Sequence, residues 1–144
     1  MANIAAVNRL NRPLKAAMLF FACAIPLALD QAETPAEALA KVRQAHAKAE
    51  ADYTATLKSE PDNADLYHQR GVVRFFQLKF TESLADFDKF IEMMPSREPY
   101  HWQRGLVHYY AGKYKAGRKQ FESHQTVNTQ DVENAVWHYL CVSK

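Results

Sequence analysis

The chain has 144 residues, of which 48% are apolar and 24% charged, and its net charge is +2. That length suits one domain with a packed core rather than two, and only 4 glycines and 6 prolines argue against a sandwich or barrel built from many tight turns. Arg9, Arg12 and Lys15 precede the first carboxylate, Asp30, so removing three positive charges from +2 leaves about −1 for the remainder. A near-neutral remainder lacks the basic stripe that a nucleic-acid partner demands. Long stretches rich in Ala, Leu, Lys, Glu and Gln predict an all-α fold.

Residues 1–32 read as an export segment: a signal peptide or an N-terminal membrane anchor. Behind the three basic residues runs an apolar stretch over 16–29 that is interrupted by Pro26 and is shorter than the roughly 20 residues that span a bilayer. A charged region followed by such a stretch is the secretory pattern. A transit peptide would be rich in serine, yet no Ser precedes Ser59. The alternative is a buried first helix. Cleavage fits after Ala24 or Ala32; acylation of Cys23 is a third route, for which Phe20 and Phe21 are poor neighbours. The expected location is periplasmic or secreted, with membrane contact only through this segment if it is retained. Once the segment is cut, Cys141 has no thiol to pair with, and stability must come from packing.

The next helix is expected over 35–59, rich in Ala and Lys. Beyond it the sequence repeats itself. Gln69-Arg70-Gly71 returns as Gln103-Arg104-Gly105, an offset of 34. At the same offset Phe75-Phe76 returns as Tyr109-Tyr110, Phe80 as Tyr114, and Phe87 as Phe121. Tyr53 and Pro61 lie one such period before Phe87 and Pro95, so a half repeat over 36–61 precedes two full repeats, 64–97 and 98–131. The pattern predicts first helices over 64–77 and 98–111 and second helices over 81–93 and 115–126. Asn63 and Asp65 are candidate caps, and Pro61 and Pro95 stop the helices before them. A closing helix is expected over 131–142. Gly71 and Gly105 fall mid-helix, where glycine costs about 1 kcal/mol relative to alanine; a close approach by the second helix is the natural compensation.

This pattern resembles the tetratricopeptide repeat (TPR) family at Gly71, Phe80, Phe87 and Pro95, and again at Gly105, Gly112, Tyr114 and Phe121, with the family's period. It departs from the family where Arg70 and Arg104 replace leucine, Arg74 and His108 replace tyrosine, Ser83 and Gly117 replace alanine, and Thr129 replaces proline. The resemblance implies a right-handed superhelix of antiparallel helix pairs, about six helices after the leader. It also implies a concave groove that holds a protein or peptide ligand. Carried over by position, the groove residues are Asp65, His68, Gln69, Val72 and Phe76, then Trp102, Gln103, Leu106, Tyr109 and Tyr110, with Glu133, Val136 and Trp137 of the closing helix able to add to them. Aromatic side chains are frequent interface anchors, although each ring here could instead pack between helices. The lysine, asparagine and arginine clamp of chaperone-binding TPR domains is missing: His68, Val72 and Gln103 stand in its places.

The expected function is thus an adaptor, not an enzyme, with no cofactor and no metal. No phosphate loop, nucleophile elbow or zincin motif occurs in the sequence. The rival reading is a small metal-binding or catalytic protein using His101, His108, His124 and His138, with His138 and Cys141 on one helical face. A third is a structural unit that associates with itself. The polar segment from His124 to Asn134 reads as an inter-helix turn capped by Asn128 or Thr129.

Overall fold

The computed structural model describes residues 33–144; the export segment expected over 1–32, Cys23 included, lies outside them. Among the described residues every regular element is helical. The α-helices are α1 Pro35–Ser59, α2 Ala64–Phe76, α3 Phe80–Met93, α4 Trp102–Tyr110, α5 Tyr114–Gln125 and α6 Val132–Val142, and a 3-10 helix, Pro95–Tyr100, joins α3 to α4. None of these helices is long and apolar enough to cross a membrane.

Local chemistry sets the boundaries. Thr34 and Glu37 form a capping box at the start of α1: the Glu37 N–H donates to the Thr34 hydroxyl at 3.2 Å and the Thr34 N–H to the Glu37 carboxylate at 2.9 Å, with Pro35 in the first turn. Helices α2 and α4 end alike. The Lys79 N–H reaches the Arg74 carbonyl at 2.9 Å, the Lys113 N–H reaches the His108 carbonyl at 2.8 Å, and between them Leu78 and Gly112 take positive φ angles of 62° and 71°. These are paired Schellman motifs. Glycine suits that conformation and leucine does not.

Two expectations need correction. The first helix of the second repeat does not run over 98–111; α4 begins at Trp102. Pro99 has no N–H to donate to an α-helical bond, the segment Pro95–Tyr100 winds as a 3-10 helix, and His101 starts α4 by accepting the Arg104 N–H on Nδ1 at 3.3 Å. Nor does Asn63 cap α2 with its side chain, which donates instead to Glu60 at 2.9 Å.

The mid-helix glycines answer to ring contacts. A Cβ on Gly71 would stand 2.6 Å from a Phe87 ring carbon, and one on Gly105 would stand 2.7 Å from the Phe121 ring. Phe87, with Leu84 and Val107, forms the central apolar cluster, flanked by Val72, Phe75, Phe80 and Ala111. Beside Gly71 the buried Ser83 hydroxyl donates to the Gly71 carbonyl at 2.7 Å. At the corresponding place in the second pair stands Gly117, whose Cβ would meet the Gly105 carbonyl at 3.3 Å and Cys141 Sγ at 2.9 Å. The missing side chain there admits α6.

A polar ladder follows the same period. Arg70 on α2 donates to Thr54 Oγ1 of α1 at 3.2 Å and, through two nitrogens, to Asp86 of α3 at 3.0 and 2.7 Å. Its counterpart Arg104 on α4 donates to Asp88 of α3 at 2.7 Å and to Gln120 of α5 at 2.8 Å. The next counterpart, His138 on α6, meets Glu122 of α5 at 3.3 Å. Every link spans 16 residues. The residues that depart from the family pattern at 70 and 104 therefore tie each first helix to the helices on either side.

Candidate functional site

Four of the expected groove residues come together in one aromatic run. Phe76 stacks on His46 of α1 with ring centres 5.4 Å apart and touches Phe75 at 5.6 Å. Phe75 in turn meets Phe80 at 6.0 Å and Tyr110 at 5.9 Å, and Tyr110 lies nearly parallel to Phe80 at 5.5 Å. Tyr109 and Tyr110 then reach Trp137 of α6 at 5.3 and 5.9 Å. Phe75, Phe76, Leu78, Phe80 and Tyr110 line an open apolar depression of about 260 Å³. It is well exposed: Phe76 is 60% accessible, Leu78 73% and Tyr110 49%. Aromatic rings offer large, stiff contact area.

A second group, Asp65, His68 and Gln103, lines a separate small depression of about 110 Å³ with Phe90, Arg97, Tyr100 and His101. His68 packs its ring against Phe90 and His101, both at 5.1 Å, and burial lowers its pKa. His101 is buried, and its pKa falls to about 4, first through burial and then through the neighbouring His68. A neutral imidazole is what this pocket favours.

The remaining groove candidates join neither depression. Val72 is half-buried and packs against the Leu84–Phe87–Val107 cluster. Gln69, Trp102, Glu133 and Val136 are exposed, and Leu106 is half-buried. Sequence reasoning left His46 and Leu78 out of the site. His46 lies on α1, outside the first helices of the two full repeats, and its signal was weak. Leu78 had a usable one, since it stands one period before Gly112 in a turn that favours glycine.

The C-terminal histidines do not converge. His101 faces His68; His108 lies beside Gly117. His124 bonds the Pro99 carbonyl through Nδ1 at 2.9 Å and the Asp131 carboxylate through Nε2 at 3.3 Å. His138 meets Glu122, and Cys141 is buried against Gly117, where burial raises its thiol pKa. Among the described residues no three His, Cys, Asp or Glu side chains gather as metal ligands would. The cap of α6 is also corrected, from Asn128 or Thr129 to Asp131, whose Oδ1 accepts the Asn134 N–H at 3.0 Å. Asn128 supports it by donating to Asp131 Oδ2 at 3.1 Å.

His108 is buried with neither ring nitrogen hydrogen-bonded among the described residues. Its counterpart Arg74 bonds Asp86 at 2.8 Å and Glu50 at 2.9 Å. For His108 those partners have changed: Leu84 stands where Glu50 does, and Gln120 is already engaged by Arg104 and the Glu98 carbonyl. Burial, then Arg104, lowers the His108 pKa to about 4. Burial alone would raise the Glu50 pKa, but the bonds from Lys79, Arg74 and Gln77 outweigh it and hold the carboxyl at about 2.

No protein-family model matches this chain, and no curated protein matches its sequence.

Proposed function

We propose that this chain is an exported TPR-type interaction module whose helix pairs stack as a right-handed superhelix and whose aromatic face binds a segment of a partner protein. The observation that carries the reading is the run from Phe76 through Tyr110 to Trp137, which joins α2, α4 and α6 into one exposed apolar surface. Leu78 adds weight. A leucine at positive φ costs about 1–2 kcal/mol, and here that strained residue presents its side chain to solvent beside Phe76. Strain at an exposed apolar residue fits a binding role better than a packing role. The TPR assignment rests on the periodic return of Gly71, Phe87 and Arg70 as Gly105, Phe121 and Arg104, in contacts as well as in letters. Export rests on the composition of residues 1–32.

The ligand this surface suits is an extended or short helical peptide with aromatic or aliphatic anchors, held by ring contacts and rim hydrogen bonds. Peptides selected from a random library against the immobilised full chain should carry such anchors. Their affinity for a Phe76→Ala, Tyr110→Ala double variant should fall by tenfold or more, about 1.4 kcal/mol, while its circular dichroism stays unchanged. Selection of peptides that bind the variant as tightly as the parent would remove this face as the site. The mass of the protein recovered from producing cells tests export: a cut near Ala24 or Ala32 is expected, and a full-length soluble product contradicts it.

A further inference from the structure

Superposing the repeat onto α6 exposes a face that ought to be covered. On α4, Glu98 at its approach, Gly105 and His108 lie under α5: Glu98 accepts from Ser123 at 2.6 Å, Gly105 sits beneath Phe121, and His108 abuts Gly117. Their counterparts one period later are Val132, Tyr139 and Val142, which are 76%, 68% and 54% accessible. No helix follows α6 among the described residues. The helix thus presents three apolar side chains, with Ala135 between them, along the side that α3 and α5 close in the earlier pairs.

A second apolar helix face also has no cover among the described residues. Helix α1 is 25 residues long, and its second half bears the residues that meet α2: His46 on Phe76, Glu50 on Arg74, and Thr54 on Arg70. The same face continues into the first half as Ala38, Leu39 and Val42, and every residue from 35 to 45 is exposed. That overhang and α6 are equal in length, each 11 residues by their bounds, or roughly 16 Å at 1.5 Å per residue. Their charges are complementary when the two run antiparallel. Glu33 and Glu37 lie at the start of α1, with Lys41 pairing back to Glu33 at 3.0 Å and Arg43 further along, while Asp131 and Glu133 start α6 and Lys113, Lys115, Arg118 and Lys144 edge the open depression at its far end. Antiparallel docking also brings the positive end of the α1 dipole to the negative end of α6.

We infer that the first half of α1 from a second copy of this chain covers the Val132–Tyr139–Val142 face of α6, so that the side which α3 and α5 close in the earlier pairs is closed on α6 in trans. The occupant is a second copy because one chain carries both surfaces, equal in length and, when antiparallel, with acidic ends opposite basic ones. This surface is separate from the aromatic depression of Phe76 and Tyr110, so either can fail alone.

Sedimentation of the full chain across a wide concentration range tests it. Apparent mass should rise above the 16.5 kDa of one chain as concentration increases. Leu39→Glu and Tyr139→Glu each alter an exposed side chain, so helicity should be unchanged and each variant alone should remain at the mass of one chain. Mixed, the two should associate again, since the first retains an intact α6 face and the second an intact α1. A parent that stays monomeric overturns the inference. So does a Leu39→Glu variant that still self-associates, which would mean α6 pairing with α6 or assembly through another surface. A mixture that fails to associate overturns it as well.

Discussion

The pairs α2–α3 and α4–α5 share a frame and differ in polar chemistry. In both, a phenylalanine ring lies on a mid-helix glycine, and in both an arginine bonds the residue 16 positions on. Around the first pair the ring of partners is ionic: Asp86 receives Arg70 and Arg74, and Glu50 receives Arg74 and Lys79 at 2.9 and 2.6 Å. Around the second it is mostly neutral, with Gln120 in place of Asp86, His108 in place of Arg74 and Leu84 in place of Glu50. The close approach of the helices depends on shape. The polar positions beside it are free to change, provided that a buried ion keeps its counter-ion.

The largest effect should come from breaking that ionic ring. Asp86→Ala leaves two largely buried guanidinium groups without their shared carboxylate and should destabilise the fold by about 3–5 kcal/mol. Gln120→Ala removes one neutral acceptor from Arg104, which keeps Asp88, and should destabilise by about 1–2 kcal/mol. Urea unfolding of the two variants measures the contrast, and equal losses would abolish it.

Acid should remove the buried-histidine and the Glu50 contributions in sequence. His108 titrates at about 4 in the fold against an ordinary 6.5, so the fold favours its neutral form. Its contribution is complete above pH 6.5 and declines as pH drops towards 4, because the unfolded chain takes up the proton first. Glu50 is held at about 2 against an ordinary 4.5; its contribution is present above pH 4.5 and is lost as pH falls towards 2. The His108 contribution is therefore lost at higher pH than that of Glu50, and the buried His68 on α2 and His101 act in the same direction as His108. His108→Leu should flatten the loss of unfolding free energy between pH 6.5 and 4, by about 1.4 kcal/mol for each pKa unit removed, and leave the share that His68 and His101 contribute. An unaltered pH profile in that variant would contradict the assignment.

The smallest effect separates the two turns. Leu78→Gly relieves a strained residue and should raise stability by up to about 1 kcal/mol, whereas Gly112→Leu creates that strain and should lower stability by about 1–2 kcal/mol. Thermal melting would register both. A loss of stability on Leu78→Gly would mean that the leucine side chain, despite its exposure, stabilises the fold.

The period was legible because its landmarks are extremes of size. Glycine inside a helix, with rings at fixed offsets from it, has little cause except a close-packed neighbour, and the ring contacts at Gly71 and Gly105 meet that expectation. The ladder was harder to see. Arg70 and Arg104 read as departures from a family pattern, and nothing in a linear scan says that residues 16 apart will touch; only the return of the chain through a short turn brings them together. The start of α4 departs from the period because Pro99, which the first repeat lacks at the corresponding position 65, has no N–H for an α-helical bond. For the site, the doublets Phe75-Phe76 and Tyr109-Tyr110 announced an aromatic surface. Which ring of each doublet faces solvent depended on packing against Phe80 and Trp137, which sequence spacing does not specify.

The 16-residue ladder has a mechanical consequence. Each arginine grips a helix on both sides, Arg70 between α1 and α3 and Arg104 between α3 and α5. Pulling on either terminus loads these grips in series, and no hairpin can peel away without tearing a bond that its neighbour also uses. Fraying from either end therefore has to break one of these arginine contacts before the next helix is freed.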